Sequence, residues 1–263
     1  MSLSFEERKK VILDILDLEG KVKVSDAEQL LNVSGETIRR DMDRLEKEGL
    51  LHKVYGGAVK AKEKYERTFE QKTSLNNIEK RRICKAAASI VEDGDVIFIG
   101  HGTTAYEIVR YLGDKPNVIV VTNSLPVLSL AAECFQGKVL FAGGEYEHRQ
   151  KFMGGPLADL FFNQLKANKA FVAAGGISLA DGITDYDITG AAISKKLIER
   201  AENTIILADH TKFGVSTFAH ICHLEDVSMV ITDQKSSTQW QERLQQKKVE
   251  LFIAGEMLDD VNV

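Results

Sequence analysis

Several hydrogen-bonding side chains lie close together in the segment Ser34–Arg44, near the N-terminus. Thr37, Arg40 and Arg44 recur at spacings of three and four, which places them on one face of a helix, with Arg39 beside them. The planar guanidinium of arginine can pair with guanine O6 and N7 or with a phosphate oxygen. This face is therefore predicted to contact nucleic acid. For any single arginine, a solvated ion pair with a neighbouring carboxylate remains an open alternative.

A second group of polar and glycine-rich segments follows apolar runs farther along the chain. Glycine lets backbone N–H groups approach a ligand, and Thr or Ser hydroxyls add donors. Because ligands of open α/β sheets bind at the carboxyl ends of strands, the segments are expected to line one crevice. One such segment alone is weak evidence, since turns also need glycine. The segments are Gly100-His101-Gly102-Thr103-Thr104, Thr122-Asn123-Ser124, Gly143-Gly144, Gly175-Gly176, Asp209-His210-Thr211-Lys212 and Thr232-Asp233.

The anion expected in this crevice is a phosphate. Gly102-Thr103-Thr104 is predicted to open a helix, where free N–H groups and the helix dipole favour negative charge. Asp181, Thr184 and Asp185 lie in a predicted turn, followed by Lys195, and are interpreted as ligand-orienting or structural groups. Isomerisation of a sugar phosphate would also need a carboxylate base and a cation, so an enzyme remains an alternative.

The elements around the arginines form a helix-turn-helix pattern. Apolar periodicity predicts a first helix over Glu6–Leu18, ended by Gly20, and a second helix capped by Ser25. Ser34 caps a third helix that is ended by Gly49, and its inward face carries Ile38, Met42 and Leu45. Leu50–Val59 then predicts two short strands that turn near Gly56 and Gly57, forming a wing whose expected contacts are Lys53 and Tyr55.

The rest of the chain alternates apolar strands with helical segments. Lys60–Asn77 is polar and is interpreted as a linker that includes part of a helix, before a helix over Ile78–Val91. Continuous apolar strands separated by helices indicate a mostly parallel sheet covered on both faces. The predicted strands are Val96–Ile99, Val118–Val121, Val139–Ala142, Ala170–Ala173, Thr204–Leu207, Met229–Ile231 and Leu251–Phe252-Ile253.

Composition narrows the class of protein. No apolar run approaches the roughly 20 residues that a membrane-spanning helix needs, and no signal peptide precedes the charged N-terminal segment. The net charge of −5 arises entirely after residue 64, because residues 1–64 hold equal numbers of basic and acidic residues. Three cysteines without a Cys-x-x-Cys pair fit a reducing cytoplasm, and His220-Ile221-Cys222-His223 lacks the partners of a metal site. Neither a metal nor a cofactor is expected.

The N-terminal motifs resemble a known family. Val33-Ser34, Thr37-Ile38-Arg39-Arg40-Asp41, Leu45-Glu46 and Gly49, followed by Tyr55-Gly56-Gly57-Ala58, resemble the signature of the DeoR family of bacterial sugar-operon regulators. The departures from that signature are Met42 where Leu is usual and Tyr55 where His is common. The resemblance implies DNA contacts by Ser34, Thr37, Arg39, Arg40, Arg44, Lys53, Tyr55, Gly56 and Gly57.

The resemblance continues through the larger part of the chain. Asp93-Gly94-Asp95, Gly102-Thr103-Thr104, Val121-Thr122-Asn123-Ser124, Gly143-Gly144, Gly155, Ala208-Asp209, Lys212-Phe213 and Val230-Ile231-Thr232-Asp233 resemble the family's effector domain. That domain is similar in fold to ribose-5-phosphate isomerase, which implies a phosphorylated sugar as ligand. Gly100 stands where many members carry Asp, and Gly190 stands where many members carry Glu.

These observations predict a two-domain α/β regulator. A winged helix-turn-helix DNA-binding domain is expected over residues 1–59, a linker over 60–75 and a phosphosugar-binding α/β domain over 76–263. The predicted function is a cytoplasmic regulator of a sugar operon, by resemblance a repressor, and not an enzyme. Its expected partners are double-stranded operator DNA, a phosphosugar and further copies of itself in a dimer or tetramer. The alternatives are an isomerase with an appended DNA-binding module and a DNA binder without an effector.

Overall fold

The computed structural model describes residues 3–19, 21–48, 50–60, 66–237 and 239–255. Two compact units make up the chain, Met1–Glu66 and Arg67–Val263, here called the N-terminal and C-terminal units. Residues 67–75, expected in the linker, therefore belong to the C-terminal unit. Gly20 and Gly49, which are predicted to end helices, lie outside the described residues.

The N-terminal unit is a winged helix-turn-helix, as predicted. Its strands pair antiparallel in the order β1-β3-β2. The prediction that Ser25 caps the second helix is wrong, because that helix already begins at Val24 and Lys23 precedes it without a side-chain cap. The elements are α1 (Phe5–Glu19), β1 (Lys21–Lys23), α2 (Val24–Leu31), α3 (Gly35–Lys47), β2 (Leu51–Val54) and β3 (Gly57–Lys60).

The core of the N-terminal unit follows from the apolar spacing of its helices. Ile38, Met42 and Leu45 of α3 are each at most 1% exposed and pack with Ile12 and Leu16 of α1. Burying one such side chain contributes roughly 1.5–3 kcal/mol relative to leaving it in water. The recurrence of these residues every three or four positions leaves the opposite face of α3 free for polar side chains.

The C-terminal unit begins with two helices and continues with alternating strands and helices. Its elements are α4 (Phe69–Thr73), α5 (Asn77–Ser89), β4 (Val96–Ile99), a 3₁₀ helix (Tyr106–Tyr111), β5 (Ile119–Thr122), α6 (Leu125–Cys134), β6 (Lys138–Phe141), β7 (Glu145–Glu147), β8 (Phe152–Gly154), α7 (Gly155–Asn163), β9 (Ala167–Ala173), β10 (Gly176–Ser178), β11 (Gly182–Asp185), α8 (Ile188–Glu199), β12 (Ala201–Leu207), β13 (Ala219–Cys222), β14 (Met229–Thr232), α9 (Gln239–Gln246) and β15 (Glu250–Ile253).

A seven-stranded parallel sheet forms the centre of this unit, in the order β15-β14-β12-β9-β4-β5-β6. One face packs on α7, α8 and α9, and the other packs on α5, α6 and the 3₁₀ helix. Both faces are therefore covered, which confirms the predicted fold class and explains why the strands are apolar without alternation. The β7–β8 hairpin and the antiparallel sheet β10-β11-β13 are additional to the predicted strands.

The segment that precedes the sheet packs on the β7–β8 hairpin. The backbone N–H of Phe69 donates to the carbonyl of Arg149 over 2.8 Å, and Gln150 Nε2 donates to the carbonyl of Arg67 over 2.8 Å. Phe69 is buried, and Glu70 forms an ion pair with Lys151. Helix α4 is thus held in place by the burial of Phe69 on one side and by the Glu70–Lys151 ion pair on the other. Among the described helices, none is long and apolar enough to cross a membrane.

Candidate nucleic-acid interface and ligand site

The turn between α2 and α3 presents the N-terminal end of α3. Asn32 adopts the left-handed conformation at φ 50°, and the Gly35 N–H donates to Glu28 Oε1 over 2.9 Å. Ser34 caps α3 as predicted, since its Oγ accepts from the Thr37 N–H over 3.3 Å and lies 3.0 Å from Thr37 Oγ1. Ser34 therefore fixes where α3 begins, which is the part of a recognition helix that meets base edges.

The arginines of α3 differ in how they are held. Arg39 and Arg40 are exposed, and Arg40 Nη2 lies 2.6 Å from Glu36 Oε1 with both side chains more than 70% exposed. Such a pair contributes little to stability and can be exchanged for a phosphate or base contact. Arg44 instead lies 4.0 Å above the ring of Phe5 and its Nε is 3.4 Å from Glu48. Among the three arginines of α3, Arg39 and Arg40 are thus more available than Arg44.

The wing carries an exposed aromatic side chain at its tip. Tyr55 is fully exposed between β2 and β3, and Gly56 beside it has φ +77°, a conformation that favours glycine. A Cβ on Gly57 would collide with the backbone carbonyl of Val22. Both glycines are therefore needed for the conformation of the β2–β3 hairpin, and Tyr55 is the side chain exposed to solvent at its tip. Lys53 pairs with Asp43 of α3, and this hydrogen bond raises the pKa of Lys53.

In the C-terminal unit, the side of the sheet to which new strands are added changes between β4 and β9. After β4 the chain adds β5 and β6 on one side, then returns to place β9 on the other. Such a switch point leaves a crevice at the carboxyl ends of the two strands. Gly100 follows β4 directly, and Gly175 follows β9 after one intervening residue, Ala174. The Gly100 N–H donates to the carbonyl of Phe171 over 2.9 Å. His101 comes next after Gly100.

A buried histidine–carboxylate pair lies beside this switch point. His101 Nε2 is 3.3 Å from Asp185 Oδ2, and the side chains are 9% and 12% exposed. Burial raises the pKa of Asp185, but the hydrogen bond and charge of His101, with the Tyr186 N–H and the charge of Lys72, lower it by more. The ring of His101 stacks on Phe152 with centroids 4.2 Å apart. Asp185 ends β11, so the prediction that it lies in a turn is wrong.

The next strand end contributes a buried amide. Asn123 is fully buried, and its Nδ2 donates to the carbonyl of Met153 over 2.8 Å. Thr122 Oγ1 donates to the carbonyl of Ile99 over 2.7 Å and accepts from the Ser124 N–H. Ser124 Oγ caps α6 by accepting from the Val127 N–H. Thr122 and Ser124 thus hold the strand end, while Asn123 keeps its Oδ1 without a partner among the described residues.

Three lysines lie near Asp209, and only one of them, Lys212, is among the predicted ligand-binding residues; the other two are Lys72 and Lys80. Lys80 Nζ donates to the backbone carbonyl of Lys72 over 2.5 Å. Burial lowers the pKa of Lys80 to about 8; the charge of Asp209 raises it, and the charges of Lys212 and Lys72 lower it. Asp209 Oδ1 accepts from Asn76 Nδ2 over 3.2 Å. Lys72 also influences Asp185, so this cluster lies near the His101–Asp185 pair.

Other predicted ligand residues are placed as follows. Thr103 and Thr104 are buried, but no α-helix begins there, because the helix that follows is the six-residue 3₁₀ helix Tyr106–Tyr111; the prediction of a helix opening at Gly102 is wrong. Thr184 Oγ1 donates to the carbonyl of Gly176 over 3.3 Å inside the small sheet. Gly143 and Gly144 are exposed.

Asp181 and Lys195 lie on the exposed side of the small sheet and α8. Asp181 is exposed and accepts from Ser216 Oγ over 2.5 Å. Lys195 is exposed and lines a groove of about 350 Å³ with Ile188 and Phe218. The contacts described above for His101 and Asp209 involve neither Asp181 nor Lys195.

Comparison with known families follows the division into two units. Residues 8–64 match the model of the DeoR-like helix-turn-helix domain, and residues 75–234 match the model of the DeoR C-terminal sensor domain. The chain belongs to the DeoR family of transcriptional regulators, whose fold it shares. It is a transcriptional regulator and not an enzyme, as predicted.

Individual relatives align over nearly their whole length. An uncharacterized HTH-type transcriptional regulator of Bacillus subtilis, YulB, is 34% identical over 93% of this chain and 95% of its own. The lactose phosphotransferase system repressor of Lactococcus lactis is 34% identical over 92% and 96%. Among solved structures, ribose 5-phosphate isomerase A of Methanocaldococcus jannaschii is 19% identical with a TM-score of 0.38, over 51% of this chain and 53% of that one.

Proposed function

We propose that this chain represses a sugar-utilisation operon, and that a phosphorylated sugar bound in the C-terminal unit controls its affinity for operator DNA. In this proposal residues 1–59 form the DNA-binding domain and 76–263 the effector domain; of the expected linker 60–75, residues 67–75 pack with the effector domain. The repressors of known name among its relatives, including the lactose phosphotransferase system repressor, support this assignment. The chain is proposed to act in the cytoplasm as a homodimer or homotetramer, because winged helix-turn-helix proteins usually address two half-sites.

The DNA contacts are proposed from exposure and charge. Arg39, Arg40 and Tyr55 extend from α3 and from the tip of the wing into solvent. Arg44 and Lys53 would first exchange their intramolecular partners for DNA phosphates. Because Asp43 pairs with Lys53, Glu48 with Arg44 and Glu36 with Arg40 in the free protein, complex formation would redistribute these ion pairs and should be strongly salt-dependent.

The burial of Lys80 is the observation that carries the phosphosugar proposal. A lysine is almost never buried without a counter-charge, and Lys80 is only 8% exposed with two further lysines near it and Asp209 as its anionic neighbour. An additional anion would relieve the repulsion among these lysines. The carboxylates of Asp209 and Asp185 can accept hydrogen bonds from sugar hydroxyls. These lysines and carboxylates together therefore suit a ligand in which a phosphate dianion is attached to a polyol.

The ligand would act by binding two arrangements of the oligomer unequally. Only such differential affinity can shift an equilibrium between a DNA-competent and a DNA-incompetent arrangement. A thermal-shift screen of the full chain against sugar phosphates and their unphosphorylated counterparts tests the sensor. A selective rise in melting temperature with a phosphosugar is expected. No shift with any phosphate would overturn the proposed effector.

Replacing Lys80 by methionine is expected to weaken binding of inorganic phosphate by roughly ten- to a hundredfold, because a buried charge-assisted hydrogen bond is lost. In the unmodified chain, phosphate affinity should also fall above pH 8 as Lys80 loses its proton, by up to about tenfold per pH unit. Above pH 8 inorganic phosphate is mainly the dianion, so its own titration contributes little there. Isothermal titration between pH 8 and 9.5 measures both effects.

The matched control is Lys85→Met, which removes one exposed charge from the same helix. It should leave both the phosphate affinity and its decline above pH 8 unchanged. If Lys80→Met retained the decline, Lys80 would not be the group that binds the anion.

A further inference from the structure

Two buried atoms near the switch point have no hydrogen-bond partner among the residues that the structure describes. They are His101 Nδ1 and Asn123 Oδ1. His101 is 8% exposed and Asn123 is 0% exposed, so bulk water does not readily satisfy either side chain. Native proteins seldom leave enclosed polar atoms unpaired, because nothing then compensates for the loss of hydration. A bound molecule that forms hydrogen bonds with both atoms would supply the partners that the described residues do not.

The two side chains come from neighbouring strand ends and pack on the same short strand. β4 and β5 run side by side with Ile99 opposite Thr122, so His101 and Asn123 follow at adjacent positions. Phe152 of β8 stacks on the His101 ring, and Met153 of β8 accepts from Asn123 Nδ2. A small molecule at the carboxyl ends of these strands would meet both residues together.

The two unpaired atoms suit a hydroxyl group. Asp185 accepts from His101 Nε2, and Nδ1 offers a lone pair on a neutral ring or an N–H on a protonated one. Asn123 must direct its amide nitrogen toward the carbonyl of Met153, which identifies the other atom as oxygen, an acceptor. A hydroxyl group can donate to Asn123 Oδ1 and can either donate to or accept from His101 Nδ1. A carboxylate or a second phosphate cannot donate to Asn123 Oδ1, and it would also be repelled by Asp185.

The position of His101 depends on the absence of a side chain at Gly190. A Cβ there would lie 2.7 Å from His101 Nε2 and 3.4 Å from Asp185 Oδ2. Even alanine would therefore displace the imidazole from its place between Phe152 and Asp185. Gly190 and His101 are thus linked by direct contact: the histidine occupies the space that the glycine leaves.

We propose that His101 Nδ1 and Asn123 Oδ1 form a hydroxyl-binding subsite, positioned by Asp185 and Gly190. This subsite would make the chain selective for phosphates of neutral sugars or polyols over phosphates of sugar acids. The proposal rests on the proposed function and specifies the class of effector. His101 and Asn123 contact the effector, whereas Asp185 and Gly190 are positioning residues.

The test measures affinities of the full chain for inorganic phosphate, for the 6-phosphates of glucose, fructose and galactose, and for 6-phosphogluconate. The preferred hexose phosphate should bind at least about tenfold more tightly than inorganic phosphate and than 6-phosphogluconate, the worth of about one buried hydrogen bond. Gly190→Ala should remove this preference and leave the affinity for inorganic phosphate unchanged. The control Gly113→Ala, where an added Cβ meets nothing within 4 Å, should keep the preference.

Two substitutions of His101 separate ligand contact from a purely structural role. Asparagine can place an acceptor near the position of Nδ1 but cannot reach Asp185, whereas glutamine reaches toward Asp185 and leaves no acceptor at Nδ1. His101→Asn should therefore retain part of the preference and His101→Gln should lose it. If His101 only held Asp185 in place, His101→Gln would retain more of the preference than His101→Asn.

Several outcomes would overturn the subsite. The first is that the preference survives in both Gly190→Ala and His101→Gln. The second is that the wild-type chain binds 6-phosphogluconate more tightly than the hexose phosphates. The third is that the hexose phosphates bind no more tightly than inorganic phosphate. If no phosphate bound at all, inorganic phosphate included, the phosphosugar effector itself would be contradicted. The two failures are thereby distinguished.

Discussion

Replacing Asp41 by alanine is expected to destabilise the N-terminal unit by about 3 kcal/mol, which is the typical cost of removing one partner from a buried ion pair. Arg8 donates to both carboxylate oxygens of Asp41, over 2.7 and 3.0 Å, and the two side chains are 13% and 7% exposed. Because Arg8 lies on α1 and Asp41 on α3, this bidentate pair fixes one helix against the other. Its loss leaves a largely buried guanidinium without a counter-charge.

Hydrogen exchange of the full chain measures this effect in peptides that cover α1 and α3. The single tryptophan, Trp240, lies in the C-terminal unit, so its fluorescence reports independently on that unit. The control Asp43→Ala removes a carboxylate that is 51% exposed and should change exchange only slightly. Equal protection of α3 in the Asp41 variant and the parent would contradict a structural role for this pair.

Replacing Arg40 by alanine is expected to weaken operator binding by roughly ten- to a hundredfold, the usual worth of a specific arginine–base contact. The fold should be unaffected, because the Arg40–Glu36 pair is exposed on both sides. The probe is duplex DNA selected by the parent protein from a random library, and the readout is fluorescence anisotropy at fixed salt. Phosphate binding by the C-terminal unit should not change.

The control Lys138→Ala removes one exposed positive charge from the C-terminal unit. It should reduce operator affinity far less than Arg40→Ala does. If the two variants weakened binding equally, the loss would reflect net charge and not a contact made by α3. If Arg40→Ala abolished ligand binding as well, the assignment of separate tasks to the two units would fail.

Local patterns predicted the main elements of both units. Ser34 caps α3, Gly56 allows the wing to turn, and the seven apolar runs became the seven parallel strands. These features depend on capping, backbone conformation and burial, and each of these is indicated by the residue types at a few neighbouring positions. The predicted order of helices and strands also placed most polar loops at the carboxyl edge of the sheet.

The contacts within the site could not be predicted in the same way. His101 and Asp185 are 84 positions apart in the chain, and they meet only because the small antiparallel sheet brings β11 beside the switch point. Lys72 falls within the predicted linker 60–77, and Lys80 falls within the predicted helix over Ile78–Val91. Their distinguishing property is the proximity of like charges around Asp209, which tertiary packing creates and which no local spacing indicates.

Operator affinity measured with and without the phosphosugar that most stabilises the chain tests the central claim most directly. The full chain is titrated onto the selected duplex at fixed salt, first alone and then with saturating phosphosugar, its unphosphorylated sugar or inorganic phosphate. A change in affinity of about five- to 150-fold with the phosphosugar alone is the predicted result, since allosteric coupling commonly has this magnitude. Unchanged operator affinity at saturating phosphosugar would contradict control of DNA binding by this ligand.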